Sequence, residues 1–240
     1  MSIFRIKVAG HVIEIHSLYD RIFDICKKYL TEDEPYFVVH TTNEDIVNER
    51  IAQDLTRNTS FPDYQIEVLN VLRKVSDALI DENIVLLHGA AISVQDKGII
   101  FSADSGIGKT VHTIRWMLNY RETVVVNGDK PFVDVNNEPL VCGSPWSGKE
   151  GRNKNIIVPL KAIVLMERAE ENHIEQVTSA QAFPFLLRQV YRPDDTGKMR
   201  KTLRLMQRLC TAVTFYRFQC NNFKDDCFDV AYNALVGGQE

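Results

Sequence analysis

Phe4, Ile6 and Val8 alternate with polar residues, the two-residue period of a strand with one buried face. Ala9-Gly10-His11 supplies a turn, and Val12 to Ile15 resumes the extended pattern. Ser17 stands where an N-cap is expected, ahead of a helix carrying Ile22, Phe23, Ile25, Cys26 and Tyr29. Pro35 to Val39 reads as a further strand. Residues 43–63 are polar and weakly periodic, which predicts an irregular connection. After Pro62 the period changes to 3.6: Ile66, Leu69, Leu72, Val75, Leu79 and Ile80 define one face of a helix. Ile84 to Ile92 is a buried-strand run, Gln95 to Gly98 a tight turn, and Gly98 to Ser102 the returning strand. A helix is expected from Lys109 to about Tyr120, then a strand from Thr123 to Val126. Residues 127–155, rich in Gly, Pro and Asn, predict turns and short strands. Ala162 to Met166 is another buried strand. Helices are expected near 179–188, 198–210 and 225–235, with a strand from Val213 to Phe218. The basic side chains of the 198–210 helix read as a solvated face, or alternatively as a docking surface for an acidic peptide. The pattern divides the chain into a small α/β N-terminal segment, 1–82, which position alone suggests for substrate docking, and a larger α/β unit, 83–240.

Composition fits a soluble globular chain: of 240 residues, 45% are hydrophobic and 25% charged. The net charge of −4 provides no general positive field, which argues against nucleic acid as the main partner. The five cysteines are scattered without a CxxC pair, so they read as buried or idle thiols in a reducing compartment. The N-terminus lacks a signal-peptide pattern, and no apolar run approaches the roughly 20 residues needed to span a bilayer. The expectation is a cytoplasmic protein with no membrane partner.

The strongest chemistry lies between the strand ending at Ser102 and the helix opening at Lys109. Ala103-Asp104-Ser105-Gly106-Ile107-Gly108-Lys109-Thr110 fits G-x-x-x-x-G-K-[ST], with Ala103 at the first glycine. Gly106 and Gly108 allow the backbone to curl so that consecutive amides point inward at a helix N-terminus, a concavity suited to phosphate. Lys109 is expected to neutralise β- and γ-phosphates and the Thr110 hydroxyl to ligate Mg²⁺, so the cofactor expected is ATP with Mg²⁺. Asp104 is either a metal or substrate contact, or an acidic residue favoured by the helix dipole.

Asp104 to Thr110, preceded by a strand pair containing His88-Gly89, resembles the superfamily of HPr kinase and ATP-dependent phosphoenolpyruvate carboxykinase. Asn127-Gly128-Asp129-Lys130-Pro131, Gly143-Ser144-Pro145-Trp146-Ser147-Gly148-Lys149-Glu150, Val158 to Ala162 and Gln189-Val190-Tyr191-Arg192-Pro193 extend the resemblance to a small HPr-kinase-like bacterial subgroup. It implies a mixed-sheet P-loop fold and phosphoryl transfer to a hydroxyl, most readily a serine on a peptide or small protein. It also implies two consecutive acids after the strand that follows the P-loop helix. Here Asp129 matches the second, the metal ligand, while Gly128 occupies the place of the general base. His88, by carry-over, sits beside the phosphate site and is the leading substitute base, with Asp129 acting as both metal ligand and base the alternative. Lys149 and Arg152 are candidates for stabilising transition-state charge, with Arg192 a third cation.

Three readings remain open: an ATP-dependent kinase, a nucleotide-binding regulatory module that lost its base at Gly128, and a carboxykinase-like small-molecule enzyme. The acceptor, the nucleotide base and the oligomeric state are not specified by these residues.

Overall fold

A three-stranded sheet and a nine-stranded mixed sheet organise the described residues of the computed structural model, which are 2–57 and 62–237. The chain opens with β1 (Ser2–Val8) and β2 (His11–Ser17), an antiparallel hairpin. Its turn uses Ala9 at φ 50° and Gly10 at φ 81°, the paired positive φ that matches strand twist. Helix α1 (Arg21–Cys26) and a short 3₁₀ turn lead to β3 (Phe37–His40), which joins β2 in parallel.

Ser17 is not an N-cap. It ends β2, and the free amides of Leu18 and Tyr19 are taken by the Glu67 carboxylate at 2.6 and 3.0 Å. A buried acid on a helix remote in sequence thus holds the turn before α1, whose own N-cap, Asp20, makes no side-chain capping bond. The predicted irregular stretch also differs: Asn43–Arg57 is a helix, α2, while residues 58–61 lie outside the described residues. Thr42 and Asp45 start it, the Asp45 carboxylate accepting from Thr42 N at 2.7 Å and Thr42 Oγ1 accepting from Asp45 N at 3.2 Å. The apolar face is too sparse to show a period, because part of it is replaced by the buried Glu49, which pairs with Arg73 at 3.2 Å.

Helix α3 (Asp63–Asp81) follows, with the predicted apolar face inward. The run after it is two strands. β4 (Ile84–Leu86) pairs with β8, whereas β5 (Ala90–Val94) pairs with β6 and β7, and Leu87 to Gly89 cross between them. A uniformly buried run cannot reveal that its two ends serve different neighbours. Next come β6 (Lys97–Ser102), α4 (Lys109–Asn119), β7 (Val124–Asn127), β8 (Phe132–Asp134), β9 (Leu140–Cys142) and β10 (Ile157–Arg168). The chain then forms β11 (His173–Val177), a strand the sequence pattern did not yield, α5 (Ser179–Gln189), α6 (Thr196–Ala212), β12 (Thr214–Cys220) and α7 (Cys227–Leu235).

The large sheet runs β4-β8-β9-β10-β6-β5-β7, with β12 beside β10 and β11 beside β12. Its mixed character centres on β10. Ile157 to Pro159 pair antiparallel with β9, and the remainder pairs parallel with both β6 and β12. β6 is therefore interior, and the loop leaving its C-terminal end is anchored on a strand buried from Gly98 to Ser102.

The core around α3 is continuous across residue 82. Ile6, Ile13, Ile22, Val71 and Leu79 pack in one cluster with Ile84, Phe132, Cys142 and Trp146. Trp146 Nε1 donates to Val68 O at 3.2 Å. At the other end of α3, Lys198 Nζ donates to Asp77 O at 2.7 Å and Lys201 Nζ to Asp81 O at 2.6 Å. These α6 lysines thus neutralise the negative end of the α3 dipole, giving part of the basic helix a structural role. All five cysteines are buried and unpaired.

Candidate active site

The Ala103–Thr110 loop joins interior strand β6 to α4. Gly106 (φ 85°) and Gly108 (φ 113°) take left-handed conformations that side chains resist. At Gly108 a Cβ would also strike the side-chain amide of Asn222. Ala103 has no positive φ and is fully buried, so a methyl group is accommodated at this first position of the pattern. Asp104 and Ser105 are exposed, Ile107 and Thr110 half-buried. Arg168 Nη2, from the end of β10, donates to Gly106 O at 2.8 Å and fastens the crest of the loop.

Lys109 is buried and folds back over the loop, its Nζ donating to Ala103 O at 2.8 Å and Asp104 O at 3.4 Å. Burial pushes its pKa down, opposed by the Asp129 and Asp104 carboxylates. The contacting carbonyls carry no formal charge, so an anion in the loop would be a better partner. The Thr110 hydroxyl makes no hydrogen bond with any described residue and is available as a ligand.

Asp129 lies on the turn after β7. Asn127 Oδ1 accepts from the amides of Asp129 at 2.8 Å and Lys130 at 2.6 Å. Asn127 Nδ2 in turn donates to Ser144 O and Ser144 Oγ, both at 2.9 Å. Buried Asn127 therefore fixes both the turn and the opposing 144–147 segment. Burial pushes the Asp129 pKa up, but the hydrogen bond from His88 and the charges of Lys130, His88 and Lys109 prevail and hold it below the ordinary value.

His88 is brought to Asp129 by the crossing between β4 and β5. Gly89 N donates to Asp129 O at 2.9 Å, and His88 Nε2 lies 3.3 Å from Asp129 Oδ1. Its Nδ1 lies 3.0 Å from Gln189 Oε1, and Gln189 Nε2 donates to Asp104 Oδ1 at 2.9 Å. A carboxylate oxygen only accepts, so Asp104 orients the Gln189 amide with Oε1 toward His88, and His88 Nδ1 is the donor. Nε2 is left facing Asp129. The sequence reading names Gln189 within the Gln189–Pro193 block but gives it no role; it is the buried residue that closes this chain from the loop to His88.

Gly128 has no room for a side chain. A Cβ there would lie 2.9 Å from Ser147 O and 3.4 Å from Arg152 O. Gly128 N donates to that Arg152 carbonyl at 2.9 Å, so the crowding atoms belong to a backbone pairing. Gly148, at φ 75°, brings the same loop against Asp129, where a Cβ would approach Asp129 Cβ to 3.1 Å.

The candidate cations separate. Lys149 is exposed and lines a cleft of about 670 Å³ with Asp129, Lys130 and Trp146, its far wall formed by α3. Arg152 points its guanidinium toward Met117 Sδ, 3.4 Å away, on the outside of α4. Arg192 lines a second pocket, of about 360 Å³, together with His88.

Among the described residues, no group of three His, Cys, Asp or Glu could by itself hold a metal ion. A cation here would depend on one or two protein ligands and on what is bound with it, the usual habit of Mg²⁺ at phosphate sites. No helix of the described residues is long and apolar enough to cross a membrane. No protein-family model matches this chain, and no curated protein matches it. Among solved structures, the Hpr(Ser) kinase/phosphatase from Coxiella burnetii is similar with a TM-score of 0.39 and 10% sequence identity, over 65% of this chain and 99% of that chain.

Proposed function

We propose that this chain is an ATP-dependent kinase of the HPr-kinase-like type, transferring a phosphoryl group to a hydroxyl of a peptide or small protein. The observation that carries the reading is the facing of two constellations: the glycine-curled loop with its inward Lys109, and the Asp129–His88 pair held to it through Gln189. In this reading the loop is a P-loop on an HPr-kinase-like mixed sheet. Residues 83–240 form the nucleotide-binding unit, and residues 1–82 form one wall of the acceptor cleft.

The loop amides and Lys109 hold the phosphates, and Thr110 Oγ1 with the Asp129 carboxylate holds Mg²⁺. Mg·ATP, when bound, supplies the transferable phosphoryl group. His88, fixed by Gln189 as an Nδ1 donor, would give up its Nε2 contact with Asp129 when that carboxylate turns to Mg²⁺, and Nε2 would then take the proton of the acceptor hydroxyl, the role that Gly128 cannot fill. Lys149 faces the cleft and stabilises charge there. Arg152, turned toward α4, has no part in this arrangement.

Transfer of label from γ-labelled Mg·ATP into protein, peptide or small-molecule fractions of a lysate of the source organism tests the proposal, with Lys109→Ala as control. Label entering the protein or peptide fraction, and lost in the control, supports it. Nucleotide binding without transfer to any fraction would sink it. That outcome would favour the second reading, a nucleotide-binding regulatory module, which the filled space over Gly128 supports.

A further inference from the structure

The pocket beside His88 carries a charge pattern at odds with the whole chain. Net charge overall is −4, yet Arg73, Lys130, Arg188 and Arg192 line this pocket against a single carboxylate, Glu49. That carboxylate is paired with Arg73 at 3.2 Å, and Lys130 Nζ lies 3.9 Å from Asp129 Oδ2, so the cations left to a ligand are Arg188 and Arg192. Arg188 lies over the Phe185 ring, 5.4 Å from its centroid, which braces the guanidinium without neutralising it. The Arg192 side chain makes no hydrogen bond or ion pair with the described residues. Beneath the cations the floor is apolar, including Leu69, Leu72 and Leu86. Like-signed charges over low-dielectric walls focus a field on whatever enters, and arginine forks match carboxylate geometry.

The pocket also has a direction. It shares Leu69, Leu72 and Lys130 with the larger cleft that contains Asp129 and Lys149, so the two form one groove along α3. His88 stands in the wall of the first part and Asp129 in that of the second. An extended chain laid in the groove would pass its hydroxyl over this pair while a neighbouring residue enters the arginine pocket.

We propose that the Arg188/Arg192 pocket is an anion subsite that selects acidic peptide acceptors, binding a Glu or Asp side chain adjacent to the phosphorylated residue. The assignment rests on the kinase reading only for the word acceptor; the binding itself is independent of chemistry.

The test uses the full chain and two fluorescein-labelled peptides of identical frame, with a central Ser flanked by Glu in one and by Ala in the other. Binding is followed by fluorescence anisotropy, and transfer is followed separately with labelled Mg·ATP. Arg188 and Arg192 are both exposed, so charge-assisted pairing should favour the Glu peptide by about two- to fivefold at low salt. In Arg188→Gln/Arg192→Gln the Glu-to-Ala ratio should fall to near one. Equal binding of the two peptides by the native chain, or a preference that survives in the double variant, would overturn the proposal. If the Glu peptide binds selectively, loses that selectivity in the variant and yet is never phosphorylated, the subsite stands and the kinase reading fails.

Discussion

Replacing Gly128 by aspartate would restore the acid that the resemblance leads one to expect, and the structure predicts that it harms the protein. The new Cβ would meet Ser147 O at 2.9 Å and Arg152 O at 3.4 Å. Both are main-chain atoms, so relief requires moving the 147–152 loop. That loop is held by Gly128 N to Arg152 O and by Asn153 Nδ2 to Ser147 Oγ at 2.7 Å. Forcing atoms into a packed site costs about 1–3 kcal/mol. Losing glycine entropy from the unfolded chain returns about 0.4–1 kcal/mol. The steric effect wins by about 1–2 kcal/mol. For a chain of this size each kcal/mol lowers Tm by about 2–4 °C, so a fall of about 2–8 °C is expected. Gly128→Ala should show the same sign, because the conflict begins at Cβ. Thermal unfolding followed by circular dichroism measures stability, and labelled-ATP transfer measures whether the added acid helps. An aspartate variant that melts with the native chain and transfers phosphate faster would refute both the steric argument and the role given to His88.

Further outcomes follow from buried groups. Burial first, and the Arg115 charge second, push His112 down to about 3 from 6.5, while its Nε2 accepts from Trp116 Nε1 at 3.0 Å. The unfolded chain therefore binds this proton first. The contribution of His112 is fully present above pH 6.5 and declines as pH falls toward 3, by up to roughly 4–5 kcal/mol. Urea titrations from pH 4 to 8 should show a shallower acid loss in His112→Asn; parallel profiles would contradict this. Lys109→Met removes a buried ammonium and should leave the unliganded Tm equal or higher. It should also abolish the stabilisation of about 2.7 kcal/mol expected with Mg·ATP at a hundredfold excess over Kd. Glu67→Ala strands the Leu18 and Tyr19 amides and should lower stability by about 3 kcal/mol in denaturant titrations. An unchanged midpoint would mean that water replaces the carboxylate.

Local signals made the loop and its flanking elements legible. The glycine spacing, the apolar strand before it and the helical period after it are all contained within Ile99 to Asn119. Helix α3 was equally plain, because its apolar face is nearly unbroken. Helix α2 was not, since Glu49 occupies a position where an apolar residue would have revealed the period, and only Arg73 explains its burial. The break within 84–92 was hidden because both strands are buried on all sides. The least legible part was the chain of contacts joining the site. Gln189 lies 101 residues from His88 and 85 from Asp104, and a glutamine at the end of an amphipathic helix carries no local mark of such a role. The candidate cations were recognisable by type, but only the fold separates Lys149 in the cleft from Arg152 on the outer face of α4.

The continuity of the α3 core has a consequence for synthesis. Val71 and Leu79 share their cluster with Phe132, Cys142 and Trp146, and the end of α3 is held by Lys198 and Lys201. When residue 82 leaves the ribosome, the apolar side of α3 still lacks these covers. At about 5–20 residues per second, the 64 residues from there to Trp146 take roughly 3–13 s to emerge. During that interval the nascent chain displays an amphipathic helix without its second layer, a natural substrate for a chaperone such as a ribosome-associated holdase. The timing of translation through residues 83–146 should therefore affect the yield of this protein. Slowing it at codons within that stretch should increase aggregation of newly made chains, while slowing after Lys201 should have little effect.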